Sequence, residues 1–472
     1  MAGIVVGIAC LLAAAYGVVY LLEQSAAARW KRLAAMIRAR GEPLTFADIE
    51  AQRPAADDRA NGAPVVKQAL ALLDSITEPG ERSVFVFDSQ CRADFLRGLR
   101  RDCIPSSRLY VAAREPVLAK LAELERYPEI RFDLKWSDPP VAWKPLMDLM
   151  SGIRTLDALL AVDDTLDVVD GNVGGVVDGL EHRLRLSEAL YREPSILPLL
   201  VGLALDHEAL MILQGLLDSS VVTESDLARL QTAWDRHLQR QSLRWSLLGE
   251  RASIVRQTNP GPTHADTRTS NAQPTSAWPA PQPFSLPPEE RSPWSRWLLL
   301  ENRIYMVTLL TEFLDNCSEP ARLQERATEL EEHLSRYSPT TTMARIVLPS
   351  LSRSFFLYTR LVERLRCASA ALAAERFRLQ RGRFPETREE LVPAFLQAWP
   401  NDPTDGKPMR LTHTGLGLVI YAVGENRTDD GGEIFPEGSE RLGRDSGFRL
   451  LPPDSRKLRY AEEEGGKGQP GE

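Results

Sequence analysis

The sequence predicts a mainly α protein with an N-terminal transmembrane helix, a body of helical hairpins in repeat-like or bundle form, and a small C-terminal α+β module with a β-hairpin. Three observations carry that expectation. Ala2 to Leu22 bear no charge and are overwhelmingly apolar. Between Trp143 and His237 apolar residues recur at spacings of three and four, the period of a helix with one buried stripe. Near the C-terminus MRLTHT and LGLVIYAV form two extended stretches joined near Gly415, the pattern of a hairpin.

The first element is the anchor, residues 1–23. At 1.5 Å per residue its apolar run covers the roughly 30 Å hydrocarbon core of a bilayer. Ala26 and Ala28 have the small-residue spacing of a cleavable signal, but the run is too long and lacks a basic leader, which favours a retained span. Arg29, Lys31, Arg32, Arg38 and Arg40 follow it and, by charge bias alone, would hold the bulk of the chain in the cytoplasm. The same residues alternate with Trp30, Leu33, Met36 and Ile37. Residues 24–64 therefore read as a juxtamembrane helix and a linker, with a short helical turn at Thr45 to Glu50.

Residues 65–257 form the expected helical domain. It opens with VVKQALALLDSI and passes through two alternating stretches, RSVFVFD and RFDLKW; in the second, Phe132, Leu134 and Trp136 share one face. Four helices follow near 145–163, 173–191, 195–217 and 225–237, and the short joins between them make neighbours antiparallel. Residues 258–293 are rich in proline and small polar residues and read as a linker or loop. The helical region at 294–368 is expected to hold helices near 294–314, 319–337 and 350–380, the last running into the module at 369–450. The tail, 451–472, ends in AEEEGGKGQPGE and reads as disordered.

Composition removes several classes of function. With 57 basic and 65 acidic residues the net charge is -8 and the pI is near 5.6, so no global field draws the chain to nucleic acid. Five cysteines, at 10, 91, 103, 317 and 367, form no CxxC pair and no zinc-ligand spacing. They read as free buried thiols, with Cys91 and Cys103 able to pair in an oxidising compartment.

The C-terminal module carries an ordered string of motifs. A long helix exits through GRFP; Thr387 and Glu390 have the spacing of a capping box; DPTDGKP supplies turn chemistry; and the hairpin leads through YAVG into the acidic loop GENRTDDGGE. This arrangement, over roughly 369–433, resembles the C-terminal domain of the major pseudopilins of type II secretion. The resemblance implies a calcium loop, with Asn426, Asp429 and Asp430 as the side chains able to supply oxygen ligands. Read from the residues alone, the loop is either such a site or a glycine turn with solvated acids. The stretches RGEPLTFADIE and REPSILPLLVGLALDHEAL make the whole chain similar to a large, uncharacterised group of anchored helical proteins in planctomycete-type bacteria, which implies architecture and location but no activity.

Six histidines are scattered, and no HExxH, P-loop, GxGxxG or GxSxG string is present. The function expected is therefore a non-catalytic, single-pass anchored protein of the cell envelope that binds another protein, with a link to secretion assemblies through the pilin-like module. The alternative is an enzyme whose site is assembled from distant residues, with His182 and His207 meeting across a hairpin beside carboxylates such as Asp206 and Glu208. Location follows the module: an inner-membrane span with the bulk of the chain extracytoplasmic.

Overall fold

The computed structural model describes residues 2–53, 57, 59–76, 100–219, 222–240, 242–258, 292–334, 338–434 and 445–457. Helix α1 (Ala2–Ala39) is unbroken over 38 residues. Its first half stands clear of the body, with Ile4, Leu11, Leu12 and Leu21 exposing most of their surface. From Ala26 onward one face is covered: Ala26, Ala34 and Ile37 are buried, and the contact is with α11 (Pro293–Asn316). Helix α1 is long and apolar enough to cross a membrane, with a mean hydropathy of 2.4 and none of the apolar window buried.

After α1 the chain turns through Gly41 into α2 (Phe46–Gln52), which has a reciprocal cap. Thr45 Oγ1 accepts from Asp48 N, and the Asp48 carboxylate accepts from Thr45 N at 2.9 Å. Helix α3 (Ala63–Ile76) follows. The expected stretch RSVFVFD lies outside the described residues. Two short helices that periodicity did not signal come next, α4 (Ile104–Ala112) and α5 (Glu115–Ala122), each started by a proline in its first turn. The RFDLKW stretch is extended but joins no sheet. Phe132 and Trp136 are buried and Leu134 half-buried, while Asp133 and Lys135 face water. Trp136 stacks on Phe46 and donates from Nε1 to Glu193 at 2.8 Å, so its alternation serves a helical core instead of a ladder.

The four expected helices are present as α6 (Pro139–Asp170), α7 (Val173–Tyr191), α8 (Ile196–Ser219) and α9 (Glu224–Arg240), joined by short turns, and α10 (Arg244–Gln257) extends the set. The α6–α7 turn shows how tight the joins are: Gly171 takes the left-handed conformation at φ 72°, and the Asn172 side chain caps α7 by accepting from Gly175 N. Helix α7 packs against α6, α8 and α9, and most of its residues are buried. A solenoid repeat touches only its neighbours along the stack; a helix enclosed on three sides belongs to a bundle. Helix α8 is also apolar enough to span a membrane, but 61% of its window is buried, as in the core helix of a folded body.

Helices α11, α12 (Pro320–His333) and α13 (Thr342–Arg381) form the second half. Helix α13 packs on α8, α9, α11 and α12, and its alanine-rich end, buried from Ala370 to Ala374, lets the sheet approach closely. That sheet is antiparallel, in the order β1 (Arg410–Thr414), β2 (Gly417–Ala422), β3 (Ser446–Leu450). The predicted hairpin is β1–β2; β3 adds a third strand, which makes β2 central and fully buried. The expected capping box at Thr387 is not formed. Residues Arg388–Glu390 make one 3-10 turn, and Glu390 instead accepts from Arg383 and from Glu386 N. One hydrophobic core runs continuously from Ala34 to Leu450. Residues 451–457, assigned to the tail by sequence, are held in place, because Arg456 pairs with buried Glu375 of α13 at 2.6 Å. The remainder of the tail, 458–472, and the proline-rich stretch at 259–291 lie outside the described residues.

Candidate functional site

A buried polar cluster lies where α7, α8 and α9 meet. Asp206 on α8 is fully buried and accepts hydrogen bonds from Ser187 Oγ at 2.6 Å, Tyr191 Oη at 2.5 Å and His237 Nε2 at 2.8 Å. His237, equally buried, has Glu188 facing its Nδ1 at 3.6 Å, too far for a hydrogen bond but close enough for charge attraction. Glu188 in turn pairs with Arg240 at 2.9 Å. Burial alone would push the imidazole pKa down, but the two carboxylates outweigh it and raise it to about 9, so His237 is a cation at neutral pH. The result is a buried ion pair that ties three helices together, closed to any substrate.

A second buried set joins α6 to α7. Arg183 donates to Asp157 at 2.6 Å and to Asp164 at 2.7 Å. Burial lifts the Asp164 carboxyl to about 7 even against the attraction of Arg183, and its Oδ1 has no hydrogen-bond partner. A Cβ at Gly179 would sit 1.7 Å from that oxygen, so glycine is what allows α7 to lie this close to α6.

The histidines proposed as an alternative catalytic pair meet different partners. His207, on α8, is half-buried and lies 3.2 Å from the Arg364 guanidinium of α13. His182 is buried and its Nε2 has no partner; desolvation carries its pKa down to about 4, which leaves it neutral. Asp206 of ALDHEAL enters a network whose histidine is His237. Sequence spacing gave no signal for that pair, since 31 positions separate them.

An open cleft of about 870 Å³ lies between α9, the start of α10, the end of α11, the middle of α13 and the 396–400 loop. Its polar lining carries both signs of charge, from Arg244 and Arg366 on one hand and Asp235 and Asp315 on the other. The groups with chemical potential are quiet: burial pushes the Cys317 thiol up, and with it the Tyr358 phenol, so neither is activated for attack. Asp235 accepts from Ser369 Oγ at 2.6 Å, and Arg366 donates to the Asn401 carbonyl at 2.7 Å, so the lining is braced by the structure around it.

The acidic loop is built by hydrogen bonds. Asp429 Oδ1 accepts from Tyr421 Oη and Gly431 N, both at 3.0 Å. Asn426 donates to Asp430 at 2.9 Å and accepts from Thr428 N. Asp445, not foreseen as part of the loop, accepts from Asp430 N and Gly432 N. Gly431 and Gly432 both take positive φ, as the tight turn requires, and Arg427 does so at 56° while reaching to Glu325. Among the described residues no three His, Cys, Asp or Glu side chains are placed to hold a metal ion. Asn426 Oδ1, Asp429 Oδ1 and Asp430 Oδ2, among the oxygens that sequence offered to calcium, each accept a hydrogen bond that holds the turn. Upstream, DPTDGKP works as a structural knot: buried Asp402 accepts from Thr404 N, Val423 N and Arg410, which ties the turn to β1 and to the chain leaving β2.

No protein-family model, curated protein or solved structure matches the chain. The structure itself defines a class: a mainly α protein whose N-terminal helix is long and apolar enough to span a membrane, with a small antiparallel sheet packed on its last long helix.

Proposed function

We propose that this is a non-catalytic, single-pass membrane-anchored protein of the cell envelope, whose bundle and pilin-like module form one rigid surface for a protein partner, with a place in a secretion-type assembly. The observation that carries the reading is the continuity of α1. The helix runs through the only candidate cleavage site without a break, Ala26 of that site is fully buried, and Glu23 just beyond the apolar run pairs with Arg296 at 2.8 Å. Cleavage there would remove buried Ala26 and the Glu23–Arg296 pair, so these contacts support retention as an anchor.

An extracytoplasmic body is supported by Cys103, which is disulfide-bonded, a state that persists in oxidising compartments. The pairing with Cys91 expected from sequence falls on a residue outside the described ones. In this reading the partner contact falls at the cleft between body and module, and the opposite charges and braced walls there support a polypeptide segment as its occupant. Carbonate extraction of membranes expressing the full chain tests the anchor. The protein should remain in the pellet and Leu12→Arg should release it; a wild-type chain found in the supernatant would contradict the proposal.

A further inference from the structure

The first turn of α11 raises a question that the anchor alone does not answer. Helices α1 and α11 run parallel: Glu23 meets Arg296, Arg29 meets Glu301, and Arg40 meets Asp315. The register places the start of α11 level with the end of the apolar run of α1, and Arg296 lies within electrostatic reach of Tyr16 inside that run. At this level α11 presents Trp294 and Trp297, with ring centroids 4.8 Å apart. Trp294 is 50% exposed, an unusual cost for the largest side chain in a body whose other described tryptophans are buried or half-buried. Trp297 donates its indole N–H to Glu301 at 3.0 Å, which leaves its apolar edge beside Trp294. Tyr20 stands exposed on α1 near this depth and Tyr16 about one turn deeper, and Lys31 and Arg32 are exposed somewhat more than two turns beyond Glu23.

Resting on the anchor reading, we propose that Trp294 and Trp297 are a second membrane contact: the first turn of α11 lies in the headgroup layer of a phospholipid bilayer, where amphipathic indoles are most stable, with Arg296, Lys31 and Arg32 toward the phosphates. The occupant is the lipid surface because the ion pair at Glu23 brings these rings to the depth at which the span must leave the hydrocarbon. The body is then seated on the membrane at a fixed angle by two helices and does not swing on one.

The full chain, reconstituted in vesicles of zwitterionic and anionic phospholipid, is examined by tryptophan emission with lipid brominated either near the glycerol end or deep in its chains. Two of the nine tryptophans are at issue, so the wild type should lose a measurable part of its emission, more with shallow bromine than with deep. The double variant Trp294→Phe, Trp297→Phe should lose most of that quenching while keeping its helical circular dichroism and its resistance to carbonate. Quenching undiminished in the double variant, or absent in a wild type that stays carbonate-resistant, overturns the proposal and leaves the anchor standing. Release of the wild type by carbonate overturns both.

Discussion

The buried His237–Asp206 pair makes the sharpest energetic prediction. An unfolded histidine titrates near 6.5, and the folded one near 9. A raised pKa means that the folded state holds its proton more tightly, so the stabilisation is complete below about pH 6.5 and is lost as pH rises toward 9. At about 1.4 kcal/mol per pKa unit, the pair contributes on the order of 3 kcal/mol that vanishes across this window. The variant His237→Gln keeps a donor for Asp206 but removes the charge, leaving a buried carboxylate without its counter-ion at a cost of roughly 3–5 kcal/mol at pH 6. Other groups also titrate. Asp163, raised to about 6, and Asp164 and Glu363, each raised to about 7, lose their folded-state protons at lower pH, while buried thiols act above it. The difference between wild type and variant cancels them. Urea unfolding of both full-length proteins in mild detergent, followed by circular dichroism at intervals from pH 6 to pH 9.5, should show that difference shrinking by about 3 kcal/mol. A difference independent of pH would refute the charged-histidine account.

Three further outcomes follow from the same geometry. Gly249→Ala would place a Cβ 1.8 Å from the Pro194 carbonyl oxygen, a backbone atom that cannot swing aside, so the loss should exceed the roughly 1–3 kcal/mol of ordinary overpacking; an unchanged melting temperature would contradict the α10 placement. Glu375→Gln leaves Arg456, whose side chain is only 7% exposed, without its counter-ion; it should cost about 3 kcal/mol and speed proteolytic removal of the segment after β3, read by mass spectrometry. Millimolar calcium should leave the melting temperature of the full chain unchanged. A rise abolished by Asp430→Asn would instead establish the loop as an ion site.

Much of the helical architecture could be read from periodicity, because α6 to α9 are long, carry apolar residues at helical spacing and break at short turn stretches, such as the one at Gly171 with its positive φ. Helices α4, α5 and α10 were not, since their apolar residues are spread around the axis or their length is too short for a period to show. The third strand was hidden by its distance: Phe448 pairs with Ile420 across a segment of which 435–444 lie outside the described residues, and strand pairing over such a gap leaves no local mark. At the candidate sites, the limits are equally physical. Acidic residues in a glycine loop look the same in sequence whether their oxygens face an ion or the backbone N–H groups of the turn. His237 resembled any histidine on an amphipathic helix until α7 and α8 brought Glu188 and Asp206 to its two nitrogens.

The measurement that bears most directly on the central claim is the topology of the full chain, with alkaline phosphatase fused at the C-terminus in one version and a fluorescent protein in the other, both in a Gram-negative host. An anchored protein with its body outside the cytoplasm predicts active phosphatase, a dark fluorescent fusion and both products retained in the membrane. Fluorescence with silent phosphatase would place the bundle in the cytoplasm, follow the basic residues after the span and contradict the proposed envelope role, which Cys103 supports.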